Sequence, residues 1–208
     1  MHCARVKLKC IFALPIIFEF AIQLFNVPTF QLSNQEKVTF AAMDTAAKNK
    51  AVFLDRDGVL NKEMGDYVCR IEDFHVLEYN IPALKELQDK GYLLLVATNQ
   101  GGLAKGWYSE EDLANMHQKL KELYKAGGVE ITDIFYCPHH PDYTGDCDCR
   151  KPKPGLLLQG IEKYNLDPAR SYFIGDRERD VIAGTAAGVK GILINSDQPI
   201  ADVLDLIE

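Results

Sequence analysis

The sequence predicts an α/β fold of three layers, in which a parallel β-sheet lies between two layers of helices. From Lys50 onward, short segments that are apolar throughout alternate with longer segments whose apolar residues recur at helical spacing. Strands that are apolar on both sides need cover on both faces, and helical connections make neighbouring strands parallel. A chain of 208 residues is long enough for one such domain.

Each element of this fold can be assigned from its own residues. The strands are the apolar runs at residues 51–54, 92–98, 133–137, 171–175 and 191–195. Asn80 is expected to cap the first helix, with Pro82 in its first turn and Gly91 at its end. Ser109 and Asp112 approximate a capping box at the start of the second helix. Further helices are expected at residues 154–164 and 180–188.

Residues 1–47 differ in composition from the rest, and we expect the fold to span residues 48–208. The run IFALPIIFEFAIQLF resembles the apolar region of a signal peptide, but Pro15 and Glu19 interrupt it and no small-residue cleavage site follows. It is also shorter than the roughly 20 residues that span a bilayer. We favour a wrongly chosen start, with Met43 as the initiator, over a partner-binding segment or an export or anchoring signal.

Charge and cysteine usage restrict the partners and the compartment. The formal net charge of −7 disfavours nucleic acid as a partner, because counterion release needs a surplus of lysine and arginine on one surface. The six cysteines are not spread as a disulfide framework would be, since three of them fall within residues 137–149. We therefore expect a cytoplasmic protein with one cysteine-rich metal site and without a membrane partner.

Polar residues follow four successive strands, at the edge where parallel sheets carry their working residues. In strand order they are Asp55 and Asp57; Thr98, Asn99 and Gln100, followed by Gly101; Arg150 and Lys151; and Asp176, Arg177 and Asp180. Each set alone also fits an ordinary turn, a polar loop or a helix N-terminus. Together they supply the nucleophile, the proton donor, the cation and the hard-metal ligands that magnesium-dependent phosphoryl transfer requires.

The loop after the third strand contains a second possible metal site. It reads YCPHHPDYTGDCDCRKPKPG and contains a C-x-H pair followed by a C-x-C pair. Four thiolate and imidazole ligands suit tetrahedral Zn²⁺, and a full set of protein ligands is typical of a structural site. The pattern alone leaves both His139 and His140 as candidates for the histidine ligand.

The motifs DRDG, TN, RKP and GDRERD, in this order, resemble the four motifs of the haloacid dehalogenase (HAD) superfamily of phosphatases. LDRDGVLN, TNQGG, CPHH with CDCRKPKPG, and IGDRERD are more closely similar to its heptose bisphosphate phosphatases. The resemblance covers roughly residues 50–194. It implies a HAD-like Rossmannoid fold and a monomer. The chain offers no insertion large enough for a separate cap domain.

The resemblance implies roles for these positions. Asp55 would attack phosphorus and form an aspartyl-phosphate, and Asp57 would act first as general acid and then as general base. Thr98 and Lys151 would hold the phosphoryl oxygens. The implied ligands are Asp55, Asp176 and the Asp57 carbonyl for Mg²⁺, and Cys137, His139, Cys147 and Cys149 for a structural Zn²⁺, which leaves His140 beside the substrate or in solvent.

The resemblance also implies a set of substrate contacts in the loops around the site. Gly101 stands where serine is common in the family, and Arg177 stands where lysine is usual. A hydroxyl contact is therefore missing at the first position, and a longer side chain is present at the second. The implied contacts are Glu63, Met64, Gly65, Asp66, Tyr67, Asn99, Gln100, Gly101, Arg150 and Arg177.

Three functions are compatible with these motifs. The one the resemblance implies is removal of the C7 phosphate from a heptose 1,7-bisphosphate, a small-molecule substrate, in the synthesis of a nucleotide-activated heptose. Histidinol-phosphate phosphatase is the alternative within the superfamily, because it is similar in its zinc loop and in the CDCRKPK sequence. A non-catalytic protein, in which the metals only hold a binding surface, is the alternative from a different class.

Overall fold

A parallel sheet of five strands forms the centre of the fold. The computed structural model describes residues 48–208, so the predictions for residues 1–47 lie outside the described residues. The strand order is β3-β2-β1-β4-β5, and every neighbouring pair is parallel. The strands are β1 Lys50–Leu54, β2 Tyr92–Asn99, β3 Ile131–Cys137, β4 Tyr172–Gly175 and β5 Lys190–Leu193.

Helices cover both faces of the sheet, as the apolar strands predict. In β1, Val52 and Leu54 face one apolar cluster, whereas Ala51 and Phe53 face the other, because successive side chains of a strand point to opposite sides. The helices are α1 Ile81–Asp89, α2 Glu110–Ala126, α3 Pro141–Thr144, α4 Gly155–Tyr164 and α5 Glu178–Ala186. The first cluster includes residues of α1 and α2, and the second includes residues of α4 and α5.

The structure confirms the three-layer prediction and most of its local details. The capping box of α2 is present, because Ser109 Oγ accepts from the Asp112 backbone N–H and the Asp112 carboxylate accepts from the Ser109 N–H. The short helix α3, within the cysteine-rich loop, was not predicted. No helix among residues 48–208 is both long and apolar enough to cross a membrane.

Asn80 occupies the N-cap position of α1 as predicted, but it does not cap the helix with its side chain. Its backbone has helical angles and its side chain makes no capping hydrogen bond. Instead, the buried amide donates to the Val59 carbonyl and accepts from the Ile200 N–H, each at 2.9 Å. A side chain that reaches residues so distant in the sequence cannot be recognised from local spacing. Asn80 thereby joins the loop after β1 to the C-terminal segment.

Asn80→Ala should lower the free energy of unfolding by about 2–4 kcal/mol, because it leaves one buried carbonyl and one buried N–H without partners. Urea denaturation would measure this change. Asn115→Ala on the exposed face of α2 is the matched control and should leave stability unchanged or slightly increased, since alanine favours helix. Equal effects of the two substitutions would contradict the structural role of Asn80.

Candidate active site

The carboxyl ends of β1, β2 and β4 and the loop after β3 meet at one edge of the sheet. Asp55 directly follows β1, Thr98 lies near the end of β2, and Asp176 directly follows β4. Lys151 comes from the loop after β3, where its backbone N–H donates to Asn99 Oδ1 and its carbonyl accepts from Asn99 Nδ2. This pair of hydrogen bonds attaches the β3 loop to the end of β2.

Lys151 lies between two buried carboxylates. Its Nζ is 2.9 Å from Asp55 Oδ1 and 2.7 Å from Asp180 Oδ1, and all three side chains are almost completely buried. Burial raises the pKa of Asp55 to about 6, with the Lys151 charge lowering it and the Asp180 charge raising it. The three groups together carry one excess negative charge, which an additional cation would balance.

Three carboxylates lie close enough together to share a metal ion. Asp55, Asp176 and Asp180 each offer an oxygen, and these oxygens lie within 4.8 Å of one another. Oxygen ligands of this kind fit a hard cation such as Mg²⁺. Asp180 is also occupied by neighbours, since Oδ2 accepts from the Arg177 N–H at 3.0 Å while Oδ1 faces Lys151.

The Asp176 carboxylate is held in place from two sides. The Ser196 hydroxyl donates to its Oδ2 at 2.6 Å, and Arg177 Nε lies 3.3 Å from the same atom. Burial raises the pKa of Asp176, with the Ser196 hydrogen bond acting in the opposite direction. Gly58 adopts φ +81°, and a Cβ at that position would lie 2.4 Å from Asp176 Oδ2. The absence of a side chain at Gly58 lets the chain after β1 approach this carboxylate.

Hydrogen-bond donors surround the Asp57 carboxylate. Arg56 Nη2 donates to Oδ1 at 2.8 Å and to Oδ2 at 3.0 Å, and the amides of Asn61 and Gln100 each donate at 3.0 Å. Burial alone would raise the pKa of Asp57, but the Arg56 charge and these hydrogen bonds hold it below its usual value. The side chain remains 31% exposed, so one part of it faces the adjoining cavity.

The cavity beside Asp57 has a volume of about 270 Å³ and mostly polar walls. Arg56 is paired with Asp57, and Arg177 is paired with Glu63 at 3.0 Å. Arg150 and Arg179 have no carboxylate partner among residues 48–208, which leaves positive charge for an anionic ligand. The lining residues are Arg56, Asp57, Glu63, Gly65, Asp66, Tyr67, Val68, Asn99, Arg150, Arg177 and Arg179.

Three of the predicted substrate residues lie outside this lining. Met64 is 46% exposed to solvent. Gly101 lies near Arg150, His140 and Tyr67, whose atoms a Cβ at residue 101 would approach to 3.1–3.2 Å. Gln100 is buried, and its amide faces Asp57 and Thr98. The structure therefore brings most of the predicted contacts to one cavity but places Gln100 behind it.

The cysteine-rich loop brings four potential zinc ligands together. Sγ of Cys137 lies 3.1 Å from Cys149 Sγ and 3.6 Å from Cys147 Sγ, and His139 Nδ1 lies 3.4 Å from Cys149 Sγ. Tetrahedral ligands about 2.3 Å from a zinc ion would be about 3.7 Å apart, so the arrangement fits this metal. His140 is outside the group, because its Nδ1 accepts from the Asp142 N–H in α3.

The same loop directs two cations toward the sheet edge. Arg150 Nη1 donates to the His139 carbonyl at 2.9 Å, and Lys151 reaches Asp55. At the start of α4, a Cβ on Gly155 would lie 2.2 Å from the Asp148 carbonyl oxygen. This close approach packs the C-x-C segment against the helix. The four-ligand group and the two cations are thus parts of one folded loop.

Several residues at this edge were not among the predicted contacts. Asp180 is visible in GDRERD as the last acid, and Arg56 stands between the two predicted acids of DRDG. Two adjacent residues of opposite charge form an ion pair in some folds and not in others, and their positions in the sequence do not show which. Only the structure shows that Arg56 pairs with Asp57. Arg179 lies in the first turn of α5, within GDRERD, whereas Tyr108 and Ser196 come from loops outside the predicted motifs.

The fold and the residues at this edge of the sheet are those of a HAD-type hydrolase. Residues 148–205 match the family model described as HAD-hydrolase-like. The chain is 43% identical over 158 residues to D-glycero-beta-D-manno-heptose-1,7-bisphosphate 7-phosphatase of Pasteurella multocida (strain Pm70), covering 74% of this chain and 85% of that protein. It is 41% identical over 161 residues to D-glycero-alpha-D-manno-heptose-1,7-bisphosphate 7-phosphatase of Photorhabdus laumondii subsp. laumondii, covering 74% and 87%.

A solved structure is similar over the same region. It is D,D-heptose 1.7-bisphosphate phosphatase from B. bronchiseptica, complexed with magnesium and phosphate, with a TM-score of 0.66 and 33% identity. The match covers 71% of this chain and 83% of that chain. The chain belongs to the family of the D-glycero-D-manno-heptose 1,7-bisphosphate 7-phosphatases, as the motif resemblance predicts.

Gly58→Ala should weaken Mg²⁺ binding, because the new methyl group would displace the Asp176 carboxylate. Isothermal titration with Mg²⁺ would measure the effect. Gly65→Ala is the matched control, since Gly65 has φ +77° and no neighbour within 4 Å of its Cβ position. Both variants carry a similar backbone strain of about 1–2 kcal/mol. Equal Mg²⁺ affinity in the two variants would show that the close approach to Asp176 does not matter.

Proposed function

We propose that the protein is a phosphatase that removes the C7 phosphate of D-glycero-D-manno-heptose 1,7-bisphosphate to give heptose 1-phosphate. The observation that carries this proposal is the buried group of Asp55, Lys151 and Asp180 beside a cavity whose lining includes two arginines without a carboxylate partner among residues 48–208. The relatives are named as heptose-1,7-bisphosphate 7-phosphatases, which supports this choice of substrate. Heptose 1-phosphate would then serve the synthesis of ADP- or GDP-heptose, the former for lipopolysaccharide.

Asp55 is the nucleophile in the proposed reaction. One of its oxygens attacks phosphorus and forms an aspartyl-phosphate, and the bond between phosphorus and the C7 oxygen breaks. Asp57 transfers a proton to that leaving oxygen. In the second step Asp57 takes a proton from water, the water oxygen attacks phosphorus, and the bond to Asp55 breaks. Inorganic phosphate leaves, and both carboxyl groups return to their starting states.

Asp57 must be protonated for the first step, although its donors favour the carboxylate. A phosphate dianion that enters beside Asp57 adds negative charge, which raises the pKa of this group. Proton uptake is therefore coupled to substrate binding in this scheme. After the leaving group has gone, the same donors favour the carboxylate that the second step needs as a base.

Lys151 and Thr98 would hold the transferring phosphoryl oxygens, and Asp55, Asp176 and the Asp57 carbonyl would hold Mg²⁺. A bound Mg²⁺ supplies charge that offsets repulsion between the phosphate and the carboxylate nucleophile. The magnesium and phosphate named for the B. bronchiseptica structure support this assignment. The oxygen-only donor set at the sheet edge is also the kind that Mg²⁺ prefers.

The distal phosphate of the substrate would occupy the arginine-lined part of the cavity. Arg150 and Arg179 have no carboxylate partner among the described residues, and Arg177 could exchange Glu63 for a phosphate. Histidinol phosphate carries an ammonium group in place of a second phosphate. The arginines of the cavity would repel this ammonium group, so histidinol phosphate fits the cavity less well than a bisphosphate does. A non-catalytic binding protein would have no chemical need for both Asp55 and Asp57.

The cysteine-rich loop would hold a structural Zn²⁺ through Cys137, His139, Cys147 and Cys149. This set leaves no coordination position for water or substrate, so the metal would position Arg150 and Lys151 without touching the substrate. Reduced thiols and a sugar phosphate substrate suit the cytoplasm, and we propose a monomer there.

Asp55→Asn should lower kcat by at least about 10⁴-fold, because the amide cannot form the acyl phosphate. Hydrolysis of heptose 1,7-bisphosphate with Mg²⁺ would measure this loss, and Asp89→Asn at the exposed end of α1 is the control. Borohydride added during turnover should reduce an aspartyl-phosphate at residue 55 to homoserine. Normal turnover in the Asn variant would contradict the mechanism.

The substrate assignment has its own test. The wild-type protein should show a higher kcat/KM for heptose 1,7-bisphosphate than for histidinol phosphate. The α and β anomers should be compared in the same assay, since the relatives carry both names. A preference for histidinol phosphate would reject the proposed substrate and leave the phosphatase chemistry intact.

Cys149→Ser should remove bound zinc, raise KM by about 10-fold, and leave Mg²⁺ affinity unchanged, because the loop positions Arg150. Elemental analysis and titration calorimetry would provide the readouts. Cys69→Ser is the matched control, since Cys69 is a free thiol outside the four-ligand group. An unchanged KM in a zinc-free sample would show that the loop does not need the metal.

A further inference from the structure

Gln100 is one of the most buried polar residues of the site, at 2% exposure. Its Nε2 donates to Asp57 Oδ2 at 3.0 Å and to Thr98 Oγ1 at 2.9 Å. Its Oε1 accepts from the Tyr108 hydroxyl at 2.6 Å. The side-chain amide therefore uses both of its N–H donors and its oxygen within the protein, which leaves no donor for a substrate.

The orientation of the Gln100 amide follows from its neighbours at both ends. A carboxylate only accepts hydrogen bonds, so the NH₂ group must face Asp57. The amide oxygen then faces Tyr108, and burial raises the pKa of this hydroxyl, which keeps it a proton donor. If the amide turned over, its oxygen would face the carboxylate and repel it.

Tyr108 is itself fixed by a close contact. Its ring lies over Gly102, where a Cβ would come within 2.2 Å of the ring carbon Cε1. The residue is 6% exposed, and its hydroxyl has Gln100 as partner. Tyr108 thus reaches Gln100 from a loop that ends at α2, on the side of Gln100 away from Asp57.

We propose that Tyr108 and Gln100 form a positioning relay that holds the Asp57 carboxyl group where it exchanges a proton with the leaving oxygen. Gln100 in this proposal acts behind Asp57 and does not bind the substrate. Arg56 and Asn61 also donate hydrogen bonds to the carboxylate, and each has one further partner, His117 Nε2 for Arg56 and the Lys62 carbonyl for Asn61. The amide of Gln100 joins Asp57 to Thr98 and Tyr108, so the relay sets the direction of the carboxyl group relative to the end of β2. The inference rests on the proposed phosphatase function.

The effect of the relay on the reaction rate should be largest for substrates whose leaving group most needs a proton. A sugar alkoxide leaves poorly without one, whereas acetate and p-nitrophenolate leave as stable anions. Disturbing Asp57 should therefore slow formation of the aspartyl-phosphate from a sugar phosphate much more than its formation from acetyl phosphate or p-nitrophenyl phosphate. The second step, in which Asp57 takes a proton from water, is common to all three substrates. A change that only loosened the fold would slow all of these reactions together.

Tyr108→Phe is the decisive variant, because it removes one hydroxyl oxygen and leaves the ring over Gly102. We expect kcat for heptose 1,7-bisphosphate to fall by about 10- to 100-fold with little change in KM, as proton transfer contributes about 10²–10⁴-fold in enzymes. The rate of aspartyl-phosphate formation from acetyl phosphate and from p-nitrophenyl phosphate, measured in a single turnover, should change less than about 3-fold. Tyr92→Phe, at the opposite end of β2, is the matched control and should behave as the wild type.

A double substitution tests whether Tyr108 acts through Gln100. Gln100→Met keeps the length of the side chain and removes the amide, and it should lower kcat for the sugar phosphate at least as far as Tyr108→Phe does. The double variant should be no slower than Gln100→Met alone, because the hydroxyl would have no relay left to orient. Independent, multiplying losses would overturn the relay.

The remaining outcomes separate the relay from its alternatives. Equal losses in the rate of aspartyl-phosphate formation from all three substrates in Tyr108→Phe would assign the hydroxyl a structural role and overturn the proposal. A raised KM with unchanged kcat in Gln100→Met would make Gln100 a substrate contact and overturn it as well. Failure of the wild type to cleave heptose 1,7-bisphosphate would reject the substrate, and the same comparison could then use another sugar phosphate that it cleaves.

Discussion

The ion pairs of Lys151 with Asp55 and Asp180 are the interaction on which the rest of the site depends. They join the end of β1, the loop after β3 and the first turn of α5, all at the same edge of the sheet. Buried charges without partners cost several kcal/mol each, so the three segments must stay together for the charges to be tolerated. The remaining negative charge of this group favours an added cation at the same place.

Close approaches of the backbone also bring chain segments together at the edge of the sheet where these ion pairs lie. Gly58 lets the chain after β1 reach Asp176, and Gly155 lets the C-x-C segment pack against α4. The Ser196 hydroxyl reaches Asp176 from beyond β5, so the loops after every strand contribute to one edge. A parallel sheet makes this convergence possible, because all its strands end on the same side. The cavity and its arginines lie beside this edge.

The fold was largely predictable because its signals are local. Apolar strands that alternate with amphipathic segments indicate a covered parallel sheet wherever they occur, and Ser109 and Asp112 mark a helix start from their own spacing. Asn80 shows the limit of this reasoning, since a good capping residue became a buried connection to Val59 and Ile200. The same holds for the Gln100 side chain, whose position next to Thr98 and Asn99 gave no sign that it would be buried behind Asp57.

The sequence by itself determined the order of the strands along the chain, the acids and cations that follow the strands, and the C-x-H and C-x-C pairs of the cysteine-rich loop, where it left His139 and His140 as alternatives. These features depend on residue types at short separations, which the chain preserves in any fold. Only the tertiary structure decided which charges pair, as with Lys151 between two acids and Arg56 on Asp57. Partner choice depends on the distances between loops far apart in the chain and on burial, which strengthens some pairs. Within the described part of the chain, Arg150 and Arg179 are left without a carboxylate partner.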